Sequence, residues 1–273
     1  MKKLINQTPS RATAIVLGIL PFAFLLLLYV LASELRLAAN PNDKLLPSFH
    51  SMGQAMWSMA FEADKRTGQY LLWADTIASL YRLGLGVLLS ALLGLVFGVV
   101  NGALPLFRAT FSPLVMILSL IPPMAILPVL FIVFGLGELS KIALITIGIA
   151  PFLIRDMQQR VLELPTEQII KAQTLGASSW QLVLRVILPQ VMPRLLDAVR
   201  LSLGAAWLFL IAAEAIAATE GLGYRIFLVR RYLSMDVILP YVVWITLLAF
   251  LTDYVLRLIN YYGFPWYRNG GKA

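Results

Sequence analysis

The stretch KAQTLGASSWQLVLRVILPQVMP occupies residues 171–193. It carries Lys171, Gln173, Arg185 and Gln190 among apolar residues, so it is too polar to cross a membrane and too apolar for a disordered linker. Its spacing predicts a helix, a turn and a second helix. The preceding LPTEQII supplies a helix start at Pro165 and the Thr166-Glu167 pair. Gly176 suits a left-handed cap that ends the first helix. Ser178 or Ser179 then caps the second, whose Trp180, Val183, Leu184 and Ile187 recur at helical spacing and form one apolar face. Pro189 and Pro193 are expected to break that helix before the next apolar run. Such a hairpin, with small residues such as Ala177 at its turn, reads either as a docking element for another protein or as a solvated loop resting on a membrane.

The flanks decide for a membrane. Of 273 residues, 60% are hydrophobic and only 13% charged, well away from the balance of a soluble domain. There is no cysteine and a single histidine, His50, which excludes a disulfide framework and makes a zinc cluster untenable. The net charge of +8 is not arranged in a basic block with interleaved aromatics, so nucleic acid is not the implied partner. In a membrane protein, excess Lys and Arg decorate the inner side.

Uncharged runs predict six spans in an all-α polytopic membrane protein: one between Arg11 and Glu34, one following Arg82, then Phe111–Phe134, Leu139–Ile154, Leu195–Ala217 and Val237–Asn260. The first is read as a retained anchor rather than a signal peptide, its apolar core being longer than a signal h-region. Residues 34–75 form a polar external segment containing a short amphipathic helix rich in Met and Trp. Gly94 and Gly98 form a G-x-x-x-G pair that admits a close helix or arises by chance in a Gly/Leu-rich run. Pro122, Pro123 and Pro128 interrupt the third span. An even number of spans puts both termini on one side. With the N-terminus inside, more than half of the 22 Lys and Arg, Lys2, Lys3, Arg155, Lys171 and Lys272 among them, fall inside. The Arg225, Arg230, Arg231 cluster runs against that bias. The expected organisation is 1–74 as anchor and external segment, 75–261 as the membrane domain and 262–273 as an inner tail.

The 171–193 stretch resembles the cytoplasmic loop of ABC importer permeases, whose pattern is E-A-A-x-x-x-G followed, nine residues on, by I-x-L-P. Ala172 and Gly176 match the first part, and Val186, Leu188 and Pro189 the second; Ile170 and Lys171 depart from the Glu and first Ala. TIASLYRLGLG, through Ser79, Leu80, Arg82 and Gly86, is similar to a segment of the branch that imports nitrate, sulfonates and taurine, as are LLPSFHSMGQAM, IPPMAILPVLFIVFGLGELSKI and AEAIAATEGLGY. PNDKLLPS and IFLVRRYL resemble permeases found beside urea- or guanidine-degrading enzymes. The resemblance implies an all-helical permease core in a bacterial inner membrane with its N-terminus in the cytoplasm. It implies a permease homodimer, a cytoplasmic ATPase subunit that binds ATP, and an extracytoplasmic solute-binding protein. The chain itself would hold no cofactor and no metal and would not be an enzyme. It contains no G-x-x-x-x-G-K-[ST] phosphate loop, so energy must come from a partner or an ion gradient. An ion-coupled secondary transporter is the rival reading, and co-purification with an ATPase chain separates the two.

The coupling residues implied by the resemblance are Ala172, Gly176, Ala177, Trp180, Val186, Leu188 and Pro189. Candidates for the solute pathway are Pro122, Pro123, Pro128, Glu214, Gly221, Gly223 and Tyr224. Glu214 is either a pathway group facing a cavity or a structural carboxylate paired with Arg82 or Arg225.

Overall fold

The structure is a computed structural model that describes residues 9–41, 43–65 and 67–270; Lys2, Lys3 and Lys272 lie outside them. Among the described residues the regular structure is entirely helical. Helix α1 (Arg11–Ala39) leads through a loop to α2 (Phe49–Phe61) and the long α3 (Leu71–Ala103). Then come α4 (Pro105–Leu120), α5 (Pro123–Phe134) and α6 (Glu138–Leu162). Helix α7 (Thr166–Thr174) and α8 (Ser179–Leu182) form the hairpin, and α9 is Leu188–Ala217. The chain closes with α10 (Leu222–Arg230), α11 (Met235–Gly263) and α12 (Pro265–Gly270).

By length and apolarity four helices qualify to cross a membrane: α1, α3, the continuous run Ser179–Ala217, and α11. The pair α4–α5, bent by 96°, makes a fifth. Helix α6 carries Glu138, Lys141, Arg155, Asp156 and Arg160 and falls outside that test, yet it packs along most of α3. Gly86 of α3 meets Ile145, Gly94 meets Leu153, Gly98 meets Met157 and Gly102 meets Val161. The pairs advance together, so α3 and α6 are parallel and share one depth. Parallel neighbours need a return crossing between them, and the bent α4–α5 pair supplies it.

Those four glycines and Ser90 recur every four residues, so they line one face of α3. A Cβ at Gly86 or Gly94 would lie 2.7 Å from the Cβ of Ile145 or Leu153, and one at Gly98 or Gly102 would overlap Met157 or Val161. The Gly94–Gly98 pair is therefore the middle of a longer stripe that lets two backbones close. At its start Ser90 Oγ donates to the Gly86 carbonyl at 2.7 Å, returning its hydroxyl to its own helix.

Several span edges shift from the sequence expectation. Helix α3 begins at Leu71 rather than after Arg82, and α6 runs on to Leu162 rather than ending near Ile154. A charge ends an apolar run in the sequence, but Asp75 and Arg82 are buried and paired, so the helix continues through them. Pro189 and Pro193 do not separate the hairpin from the following span. Residues Val183–Ile187 form a π-turn directly before Pro189, which sits in the first turn of α9; the wider turn accommodates a ring that cannot donate to the preceding turn. Pro193 leaves the Pro189 carbonyl without its helical donor, and Trp266 Nε1 donates to that oxygen at 3.3 Å. The third span breaks at Ile121–Pro122; Pro123 starts α5 and Pro128 is accommodated within it.

Helix α2 packs Ala60, Met56 and Met59 on the core and leaves Phe49, Trp57 and Phe61 exposed, a geometry suited to a membrane interface.

Candidate functional site

At one end of the bundle lies the hairpin. The first helix, α7, ends at Thr174, and Gly176 follows with φ +83°. The Ala177 amide donates to the Ala172 carbonyl at 3.0 Å and the Gly176 amide to the Gln173 carbonyl at 2.9 Å. These two bonds make a Schellman turn, for which the left-handed residue favours glycine. Ala172 and Gly176 thus do not share one helix face; they are joined through the turn that Gly176 permits. Ser178 caps the second helix: its hydroxyl accepts from the Gln181 amide while the Gln181 side chain accepts from the Ser178 amide at 2.9 Å.

The apolar face expected of the second helix is divided. Leu182 and Ile187 are buried, Ile187 against Val99, Val161, Leu164 and Val191. Trp180 is 70% exposed, and the π-turn between it and Ile187 changes the rotation per residue so that the two do not share one face; Leu175, at the end of α7, is 87% exposed. Val186, Leu188 and Pro189 lie half-buried where the hairpin joins α9. Gln190 Nε2 donates to Gln168 Oε1 at 3.0 Å, tying α7 to the long helix. The hairpin is consequently continuous with a membrane-crossing helix and ends in an exposed turn.

At the opposite end is a buried polar network. Glu214, fully buried near the end of α9, accepts from Arg82 Nη1 at 2.7 Å, from Ser79 Oγ at 2.8 Å and from the Gly223 amide at 2.9 Å. Arg82 also donates to the Glu220 carbonyl at 2.8 Å and to Glu138 Oε1 at 2.9 Å. Asp75, also fully buried, accepts from Arg225 Nε at 2.7 Å and from the Gly221 amide at 2.9 Å. The sequence-derived candidates Glu214, Arg82, Gly221 and Gly223 are brought together; Asp75, Ser79 and Glu138 complete the set. Asp75 escaped the sequence reading because it stood at the edge of a segment read as external. The only signal was its place one helical turn before Ser79 and two before Arg82.

The network pins the turn between α9 and α10. Gly221 has φ +127°, and a Cβ there would lie 2.6 Å from the Glu214 carboxyl carbon. At Gly223 a Cβ would lie 2.6 Å from the Ile211 carbonyl oxygen. Tyr224 stands half-buried beside Arg225, whose guanidinium carbon is 5.7 Å from its ring centre. Arg225 is not a free surface cation, and Glu214 is fully enclosed by its protein partners. Pro122 is exposed at the α4–α5 corner, Pro123 is half-buried beside it and Pro128 is exposed within α5; none of the three bonds to the Glu214 network.

A parallel helix pair with a bent return crossing, a hairpin fused to a crossing helix and a pinned turn at the far end define a helical membrane subunit. Among the described residues no group of His, Cys, Asp and Glu is placed to hold a metal. The chain belongs to the binding-protein-dependent transport system inner membrane component family, whose model matches residues 86–268. It is 37% identical to the taurine transport system permease protein TauC of Escherichia coli over 72% of this chain and 71% of that one. It is 33% identical to the putative aliphatic sulfonates transport permease protein SsuC of Bacillus subtilis over 67% of this chain and 66% of that one. A solved structure of inward-facing conformations of the MetNI methionine ABC transporter matches with a TM-score of 0.62 and 25% identity, covering 72% of this chain and 98% of that one. The chain is a permease subunit of an ABC importer, and that membership implies an ATPase and a binding protein as partners.

Proposed function

We propose that two copies of this chain form the pathway of an ATP-driven importer for a small polar solute of the taurine, sulfonate and nitrate class. A small nitrogen compound such as guanidine or urea is the alternative that the sequence resemblance implies. The membrane domain, drawn from sequence at 75–261, takes in α3 from Leu71 and closes with α11 at Gly263. The residues before Leu71 anchor it and those after Gly263 form its tail, against 1–74 and 262–273 expected from the sequence. The N-terminus and the hairpin lie in the bacterial cytoplasm, and the α2 and α10 end faces the binding protein. ATP is bound by the partner ATPase, on which the hairpin seats through Ala172, Gly176, Ala177 and Trp180. Val186, Leu188 and Pro189 carry the motion into α9.

The observation that carries this reading is the hairpin. Its turn is open, with nothing within 4 Å of a Cβ built at Gly176, and its second helix continues without a break to Ala217. A force applied at the turn therefore reaches the far end, where Glu214 holds the Gly221–Gly223 turn. Alternating access needs such a rigid element between two packings. Replacing Gly176→Glu adds a charged side chain at the turn and strains the left-handed residue. ATP-driven uptake into proteoliposomes is expected to be abolished while the variant inserts and chromatographs as wild type. Undiminished uptake would remove the coupling role from the hairpin.

A further inference from the structure

Helix α1 is tied to the chain near the end that leads into α2. The Tyr29 hydroxyl donates to the Pro47 carbonyl at 2.7 Å and the Ser33 hydroxyl to the Leu46 carbonyl at 2.9 Å. Farther along α1 a cavity of about 780 Å³ separates it from α2 and α11. Phe22, Leu26 and Tyr29 line it from α1, Met56 from α2, and Val243 and Leu247 from α11. Its wall runs about 10 Å along α1, from Phe22 to Tyr29. Among the described residues the two polar side chains that line it are already bonded: Tyr29 to Pro47, and Trp244 Nε1 to Thr76 Oγ1 at 2.9 Å.

A second cavity, of about 470 Å³, adjoins the first at the loop end. The same three helices pass from one into the other. Leu37 follows Tyr29 by about two turns, Ser48 and Ser51 neighbour Phe49 and Met52, and Asp236 stands about one turn before Leu239. Here the lining is polar: Asp43, Lys44, Ser48, Ser51, Ser234 and Asp236. Asp43 is already matched, accepting from Arg36 and from the Leu45 amide at 3.0 Å. Ser48 and Ser51 bond each other. Lys44 and Asp236 have no ion-pair partner among the described residues.

An apolar slot between two membrane-crossing helices thus opens onto one unmatched cation and one unmatched anion. Such a slot stays dry. A helix from a second copy would cover its apolar wall and leave Lys44 and Asp236 unmatched. A phospholipid that carries an ammonium beside its phosphate satisfies all three parts: an acyl chain for the slot, the phosphate for Lys44 and the ammonium for Asp236. A primary ammonium donates hydrogen bonds to a carboxylate, which a quaternary one cannot.

We infer that the cleft between α1, α2 and α11 is a binding site for a phospholipid with a primary-amine headgroup, of the phosphatidylethanolamine kind, which fastens α1 to the bundle. The inference stands apart from the import reading, since neither ATP nor solute enters its test.

The full-length chain, purified in detergent and delipidated, is titrated with phosphatidylethanolamine, phosphatidylcholine and phosphatidylglycerol of identical acyl chains. Bound lipid is counted by native mass spectrometry. Phosphatidylethanolamine is expected to bind about tenfold more tightly than the other two, the scale of one hydrogen bond to a charged group, and to raise the thermal midpoint. Asp236→Asn is expected to erase that preference, and Lys44→Gln to weaken all three lipids alike. Gly53 lines the slot with nothing within 4 Å of a built Cβ, so the side chain of Gly53→Phe enters it. That variant is expected to lose all three lipids while its lipid-free midpoint stays at the wild-type value. Equal binding of the three lipids by the wild type, a preference that survives Asp236→Asn, or undiminished binding by Gly53→Phe overturns the proposal. A wild-type dimer that excludes lipid assigns the slot to the second copy and overturns it as well.

Discussion

At the scale of single residues, Glu214 carries the sharpest question. It accepts from Arg82, Ser79 and the Gly223 amide and is fully buried, so its carboxylate is occupied on every side by the protein. Arg82 keeps Glu138 as a second partner, yet removing the Glu214 charge leaves a buried cation half-compensated. Breaking a buried pair costs about 3–5 kcal/mol when the other charge is stranded, and the second carboxylate keeps Arg82 toward the lower end. Glu214→Gln is therefore expected to lower the thermal midpoint of the solubilised protein and its folded yield, with uptake per folded molecule preserved. An unchanged midpoint together with a raised half-saturating solute concentration would instead make Glu214 a pathway group.

At the scale of elements, the α3–α6 contact depends on side chains that are absent. A side chain at Gly98 would overlap Met157 and reach within 2.9 Å of the Ile154 carbonyl oxygen, and a carbonyl cannot move without disturbing its helix. Overpacking typically costs about 1–3 kcal/mol, and more where backbone must shift. Gly98→Leu is expected to reduce the yield of monodisperse protein on size-exclusion chromatography and to lower its thermal midpoint. Gly84 lies on the same helix with nothing within 4 Å of a built Cβ, so Gly84→Leu is expected to leave both measures unchanged. Equal damage from the two would mean that the stripe does not hold the helices together.

For the whole molecule, the helix directions make a topological prediction. Helices α3 and α6 run parallel. Helix α9 runs against them, its Glu214 end meeting the Arg82 end of α3, and α11 runs against α9, with Asp253 beside Arg200 and Asn260 donating to the Pro193 carbonyl. The loop preceding α3 and the hairpin preceding α9 consequently lie at opposite ends. A reporter fused after Gln181 is expected to read cytoplasmic and one after Lys65 external. The reverse pair would invert the orientation and remove the hairpin from the reach of an ATPase.

The features legible in the sequence were those decided within a few residues. The apolar runs announced a membrane bundle because burying backbone in lipid demands long uncharged helices. Gly176 and the Ser178–Ser179 pair announced a turn and a cap because the Schellman motif and the capping box close over spans of three to five residues; the structure places the turn at Gly176 and the cap at Ser178 rather than Ser179. The start of α3 was misread for the complementary reason: a charge looks like the end of a span until its partner is known. Asp75 finds Arg225, and Arg82 finds Glu214 and Glu138, across stretches of chain that no local pattern links. The same holds for the stripe from Gly86 to Gly102, whose meaning depends on α6 lying against it, and for the π-turn that carries the hairpin through Pro189. By itself the sequence determined the solvent, the helices and the turn chemistry, since these follow from local propensity and apolar periodicity. Only the tertiary structure decided which charges are neutralised and which glycines are crowded, because both depend on atoms brought together from distant parts of the chain.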